Sequence, residues 1–281
     1  MLISLTTDFG TEDGYVGVMK GVMAAIAPGV PFIDISHAIP PQDVRSAAYV
    51  LWTVVPYFPE ESVHLVVVDP GVGTARRPLA AKTPWGYLVG PDNGVFTYLW
   101  DAAPPGPIVE LAASAYRREA VSATFHGRDI FSPAAAHIAA GVALEELGPP
   151  IDDPVRLPIP TLEFDDGILR GEVVYIDHFG NTITSIGRLI WEGKLLHFDG
   201  VFGERETAIL RAESMHVIVN GRDLGPIRRT YGEVSPGDPL ALVGSEGMLE
   251  IAVSHGHGAD ALGLNLGDTV EVVRGRGKDE G

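Results

Sequence analysis

Apolar residues follow two different rules in the two halves of this chain. In the first half, short aliphatic runs at 2–5, 32–35 and 65–68 alternate with stretches whose apolar residues recur at helical spacing. Residues 15–26 place Val18, Val22, Ala25 and Ile26 on one face and stop at Pro28-Gly29, and 47–57 read as a second helix. Short strands follow at 79–81 and 87–89, and an alanine-rich helix is expected over 134–143 after Pro133. Strand and helix in turn is the pattern of a sheet covered by helices, with its loops gathered along one edge.

The second half loses the helical spacing. Strands are expected at 171–176, 182–186, 217–219, 240–243, 249–253 and 269–273, parted by Gly, Asp and Asn turns. Between the halves the composition shifts to Pro149, Pro150, Asp152, Asp153, Pro154, Pro158 and Pro160, as in a semi-rigid boundary segment. The expected fold class is α/β: an N-terminal α/β sandwich-type domain with a central sheet over 1–150 and a proline-rich linker over 151–162. A smaller C-terminal all-β barrel-like domain over 163–274 and a frayed tail over 275–281 complete the expectation. No internal repeat is visible.

Charge and cysteine content narrow the chemistry. The 281 residues carry a formal net charge of −17, which disfavours nucleic acid or an anionic membrane as the main partner and tolerates a cationic small molecule. The absence of cysteine excludes disulfides, thiolate metal sites and cysteine nucleophiles, and fits a reducing compartment. Met1-Leu2-Ile3-Ser4-Leu5 lacks the basic flank of a signal peptide, and no apolar run is long enough to cross a bilayer. A cytoplasmic location is expected.

Candidate chemistry collects at strand ends. Val66-Val67-Val68-Asp69-Pro70-Gly71-Val72-Gly73-Thr74-Ala75-Arg76-Arg77 reads as a strand buried on both faces that ends in a carboxylate and then turns sharply. The turn is expected to return Arg76 and Arg77 to Asp69, either as a solvated ion pair or as part of a site outside the carboxyl ends of the strands. Asp8, in Thr6-Thr7-Asp8-Phe9-Gly10, is a second strand-end carboxylate. His126 sits in Phe125-His126-Gly127-Arg128-Asp129-Ile130-Phe131, where Asp129 suits an ordinary helix start. Asp177-His178-Phe179-Gly180-Asn181 and Gly244-Ser245-Glu246-Gly247-Met248-Leu249-Glu250 join polar groups to glycine, as both hairpin turns and ligand loops do.

Several chemistries fit poorly. Asp8, Asp69, His126, Asp129, His137 and His178 are metal-competent, but His126 and Asp129 flank Gly127 with no second close histidine, and His255-Gly256-His257 has no neighbouring carboxylate pair. No metal is expected. No serine sits in a Gly-x-Ser-x-Gly elbow, and Gly71-Val72-Gly73 is not followed by Gly-Lys-Ser/Thr. What remains is Asp69, Arg76 and His126. If they converge, the acid–guanidinium pair fixes the imidazole or a water beside it, and a held water becomes a nucleophile.

Five motifs carry a family resemblance: Thr7-Asp8-Phe9-Gly10, the run from Val67 to Arg77, the run from Phe125 to Phe131, Asp177-x-Phe179-Gly180-Asn181, and Ser245-x-Gly247-x-Leu249-Glu250. Together they resemble the S-adenosyl-L-methionine (SAM) hydroxide adenosyltransferases, or SAM hydrolases, which are relatives of fluorinating and chlorinating enzymes. The resemblance implies hydrolysis of SAM to adenosine and L-methionine, with no metal and no cofactor beyond SAM as substrate. It also implies a homotrimer with sites between the first domain of one subunit and the second domain of the next. The family triad falls on Asp69, Arg76 and His126, and the ribose-binding carboxylate on Asp8. Phe179 and Asn181 match the residues that stack on and hydrogen-bond adenine. Asp177 and Ser245 match those holding the methionine end, where Glu246 departs from some relatives. In the fluorinating relatives a tyrosine and a serine stand at the positions of His126 and Gly127, and an extra loop follows the strand ending here at Asp69. A halogenase is therefore the nearest alternative, and a non-catalytic SAM- or adenosine-binding protein is the alternative from another class.

Overall fold

Strand β1 (Ile3–Thr7), helix α1 (Tyr15–Ile26), strand β2 (Phe32–Ser36), helix α2 (Val44–Val54) and strand β3 (Val63–Val67) open the computed structural model as alternating units. The structure describes residues 1–165, 167–203 and 206–275, so the tail expected to fray lies, from 276 on, outside the described residues. The chain divides into two compact units, Met1–Leu157 and Pro158–Gly281.

In the first unit, strands β4 (Pro78–Thr83), β5 (Gly86–Pro91) and β6 (Ile108–Glu110) complete a six-stranded sheet of order β2-β1-β3-β5-β4-β6. Strands β2, β1, β3 and β5 run parallel, and β4 is antiparallel to both its neighbours. The side chains of β3 show why its sequence is continuously apolar. Val63, Leu65 and Val67 pack with Met19 and Met23 of α1 and Ala134 to Ala136 on one face. Val66 and Val68 pack with Ala47 and Leu51 of α2 and with Leu99 and Trp100, from helix α3 (Thr97–Ala102), on the other. This is an α/β/α layering, and the chain leaves β1 for β2 on one side and returns to β3 on the other. The carboxyl ends of β1 and β3 therefore flank a switch point, where open α/β sheets place their sites.

The alanine-rich helix differs from its expected span of 134–143. A π-turn occupies Gly127–Phe131, and helix α4 (Ser132–Ala139) continues from it. Pro133 has no N–H to return to the carbonyl of Asp129, and that carbonyl accepts instead from the Arg118 N–H at 2.9 Å. The wider turn accommodates the proline without orphaning the backbone. The helix stops early because Gly141 adopts φ +96°.

The second unit is rich in antiparallel sheet. Strands β7 (Leu162–Asp165), β8 (Ile168–Ile176), β9 (Thr182–Thr184), β10 (Leu189–Glu192), β11 (Leu195–Asp199), β12 (Thr207–Arg211), β13 (Met215–Val219) and β14 (Arg222–Pro226) come first. After them come β15 (Pro239–Val243), β16 (Leu249–Val253), a short helix α5 (Gly258–Leu262) and β17 (Thr269–Arg274). One sheet has the order β14-β13-β17-β8-β9-β16-β15, and β7 pairs with β8 off that path. A bridge between Arg228 and Leu242 draws its two ends together, so the sheet is nearly closed, as expected for a barrel-like domain. Strands β10, β11 and β12 form a separate sheet that the sequence pattern did not predict.

Candidate active site

The loop after β3 does what its glycines suggest. Gly73 adopts φ +76°, and a β-carbon there would lie 2.4 Å from the carbonyl oxygen of Ala123. The loop thus packs its backbone against the segment that leads into His126. Arg76 returns to Asp69 with Nε donating to Oδ1 at 3.0 Å and Nη2 donating to Oδ2 at 2.5 Å. Nη2 also donates to Nδ1 of His126 at 3.0 Å. The acid, guanidinium and imidazole that lie 7 and 50 residues apart in sequence are joined directly.

The chemistry of the donor fixes the state of the acceptor. An arginine has only N–H donors, so Nδ1 of His126 is unprotonated and the neutral ring carries its proton on Nε2. Burial and then the Arg76 charge hold His126 below the usual histidine range, consistent with a neutral ring. Asp69 is raised from its ordinary value, because burial of the carboxylate outweighs what Arg76 returns. The Asp69 and Arg76 side chains are only 4% and 7% exposed. Arg76 Nη1 is buried without a partner among the described residues, leaving one donor of this cluster uncommitted.

Around the cluster the walls are aromatic. The rings of Phe9, Tyr15 and Phe125 meet pairwise at 5.7, 6.0 and 5.3 Å, and the Arg76 guanidinium lies over Phe131 at 5.2 Å. A β-carbon at Gly127 would stand 3.3 Å from Met19 Sδ and from Phe125 Cε2, and 3.4 Å from Val67. Asp8 follows β1, and its Oδ2 accepts the Gln42 N–H at 2.8 Å. The turn it sits in is tied to His37, whose Nδ1 meets Thr7 Oγ1 at 2.9 Å and whose carbonyl accepts the Gly10 N–H at 2.7 Å.

One sequence expectation is corrected at this site. Arg77 does not return to Asp69, both of whose oxygens are taken by Arg76; its guanidinium pairs instead with Asp92 and Asp153 at 2.7 Å each. Asp92 is 4% exposed and also accepts the Val155 N–H at 2.8 Å. Asp129 is fully buried between Arg118 and Arg128, the structural role that its place near a helix start suggested.

The second unit carries the other candidates. Phe179 is 71% exposed, an apolar ring with a free face, while Asn181 next to it is 9% exposed. They line an open recess with Tyr231, Val253, His255, Gly256 and His257. Asp177 is largely engaged by its own loop, since Oδ1 accepts the N–H groups of Phe179 and Asn181 at 2.8 Å each and Oδ2 accepts Asn181 Nδ2 at 3.0 Å. Ser245 and Glu246 occupy the turn between β15 and β16, with Ser245 Oγ 3.4 Å from Glu246 Oε1. Tyr231 is a site-lining residue that sequence reasoning missed; the only signal for it is an aromatic residue beside glycine in a polar stretch. Among the described residues no group of three or more His, Cys, Asp or Glu is placed to hold a metal ion. No helix among them is long and apolar enough to cross a membrane.

Comparison with known proteins gives consistent matches along the chain. Residues 3–148 match the family model of the SAM hydroxide adenosyltransferase N-terminal domain, and 171–271 match that of the C-terminal domain. The chain is 45% identical over 276 residues to the (R)-S-adenosyl-L-methionine hydrolase of Thermus thermophilus, covering 95% of this chain and 97% of the relative. It is 42% identical to the protein of the same name from Salinispora tropica, covering 97% and 98%. The fluorinase of an Actinoplanes species is more distant, at 28% identity over 300 residues and 97% of each chain. A crystal structure of a conserved Thermotoga maritima protein superposes with a TM-score of 0.84 at 33% identity, covering 97% of this chain and 100% of that one.

Proposed function

The chain belongs to the SAM hydroxide adenosyltransferase family, and from that premise we propose that it hydrolyses (R)-S-adenosyl-L-methionine to adenosine and L-methionine. The observation that carries the reading is the direct junction of Asp69, Arg76 and His126. A binding protein would have no use for it.

The reaction displaces methionine from C5′ of the ribose. The sulfonium loses its positive charge as it leaves as a neutral thioether, so no general acid is required for the leaving group. Positioning of the attacking water is most of the task, and orientation alone supplies ~7–11 kcal/mol in favourable cases. In the proposed arrangement His126 donates its Nε2–H to the water oxygen, and Asp69 takes the proton that the water loses on attack. Asp69 suits that role because its raised pKa makes it a better base than an ordinary carboxylate. Arg76 holds both groups in place.

Binding is proposed for the remaining residues by their donor and acceptor inventory. Asp8, an acceptor with two oxygens, receives the ribose hydroxyls, Phe179 stacks on the adenine and Asn181 bonds its edge. Ser245 can donate to the methionine carboxylate, whereas Glu246 and Asp177, as acceptors, suit the ammonium. Since these residues divide between two units of the chain, we further propose the homotrimer that the family resemblance implies, with sites completed between copies.

The halogenase alternative is disfavoured because His126 and Gly127 stand where the fluorinating relatives carry a tyrosine and a serine, so the hydroxyl pair that would help to dehydrate a halide is missing. Chromatography of the products decides between the readings. Adenosine and methionine in equal amounts, at a rate indifferent to added chloride or fluoride, are expected. Methylthioadenosine, or a halogenated adenosine that requires halide, would overturn the proposal.

A further inference from the structure

Behind the recess of the second unit lies a buried carboxylate that the proposed reaction does not use. Glu250, on β16, is 8% exposed, and its Oε1 accepts the phenolic proton of Tyr231 in a short hydrogen bond. Burial and the nearby negative charge of Asp177 push the Glu250 carboxyl above its usual range. Burial together with Glu250 raises the Tyr231 phenol, which keeps its proton.

That single proton sets the direction of the bonds that follow. A phenol has one O–H, and with it committed to Glu250, Tyr231 Oη faces Asn181 as an acceptor. Asn181 Nδ2 donates to it at 3.5 Å and gives its other hydrogen to Asp177 Oδ2 at 3.0 Å. Asp177 cannot reverse the arrangement, because as a carboxylate it only accepts. Turning the Asn181 amide over would aim its oxygen at a carboxylate and at a phenol oxygen with no proton left to give. Unpaired polar groups of that kind are expensive where Asn181 is 9% exposed. The amide is therefore locked, and its Oδ1, which no described donor reaches, is left for the recess.

We infer that Glu250 is a positioning residue for base selection: by holding the Tyr231 proton it keeps the Asn181 oxygen turned toward the ligand. The site then takes a purine with an amino group at C6 and rejects one with a carbonyl there. The inference rests on the SAM reading, which supplies adenine as the base and Asn181 as its partner. The lock behind Asn181 is the added element.

Calorimetric binding of adenosine and inosine to the full chain tests it, alongside kcat and KM for SAM. The native protein should prefer adenosine. Glu250→Ala and Tyr231→Phe should each lower that preference by about tenfold, with the loss of activity falling on KM more than on kcat. Glu250→Gln, whose amide oxygen still accepts the phenol proton, should restore the native ratio, and the Glu250→Ala, Tyr231→Phe double variant should be no worse than either single one. An adenosine preference unchanged in Tyr231→Phe would overturn the inference, as would one lost equally in Glu250→Gln. These two variants decide the matter even if Glu250→Ala does not fold. Failure of the native protein to bind adenosine would instead remove the SAM reading itself.

Discussion

Replacing Asp69 by asparagine or His126 by alanine is expected to lower SAM turnover by about 10²–10⁴-fold, the usual contribution of a positioned acid or base, while adenosine binds with native affinity. The reason is a division of labour. Both residues face the attacking water in the proposed mechanism, whereas the nucleoside is held by Asp8, Phe179 and Asn181. Single-turnover rates and adenosine titrations on the same preparations separate the two effects. Equal losses of binding and turnover would assign these residues to the ligand instead. The pH profile carries the same logic. Activity needs an unprotonated Nδ1 on His126 and an ionised Asp69, so the rate should fall as pH falls through their pKa values. For His126 that limb lies below its ordinary value of about 6.5, because burial and Arg76 depress it.

Arg76→Met should act on stability as well as on rate. The Asp69–Arg76 pair is almost wholly buried, and removing one partner leaves an uncompensated charge that costs about 3–5 kcal/mol. Denaturant titration at neutral pH should show a loss of that size. The sign of its pH dependence follows from linkage. Without Arg76, the folded-state pKa of Asp69 rises further above its unfolded value, so the folded state binds the additional proton as pH falls. The deficit should therefore shrink on moving from neutral toward acid pH. A deficit that is constant across that window would mean that Asp69 is not the group left stranded.

Much of this architecture is legible in the sequence where local pattern and tertiary role coincide. Helix α1 spans 15–26 as its spacing predicts, but the face that covers the sheet is not the expected one of Val18, Val22, Ala25 and Ile26: Met19 and Met23 are buried while Val18 is 45% exposed, because the longer thioether side chains fill the core beside β3. The continuous apolar run of β3 announces a strand buried on both faces, and the carboxylate after it announces a site at the strand end. What remained hidden depends on long-range partners. Arg76 and Arg77 are adjacent and chemically alike, yet one joins Asp69 and the other Asp92 and Asp153, a choice made by loop geometry. The π-turn after His126 goes with a long-range bond in which the Arg118 N–H, fifteen positions before Pro133, takes the carbonyl that the proline cannot use. Strands β10 to β12 were hidden because their outward residues, such as Ile190 at 56% and Ile209 at 64% exposed, break the apolar-in, polar-out alternation. The direction of the Glu250, Tyr231 and Asn181 bonds is likewise invisible along the chain, since three residues spread over 181–250 must first be folded together.

In the proposed reaction, solvent held by Asp69, Arg76 and His126 becomes the 5′ oxygen of the product. Mass spectrometry of adenosine formed in ¹⁸O-enriched water addresses it directly. One labelled oxygen is expected on C5′ of every adenosine and none in methionine. Unlabelled adenosine, or label in the amino acid, would contradict it.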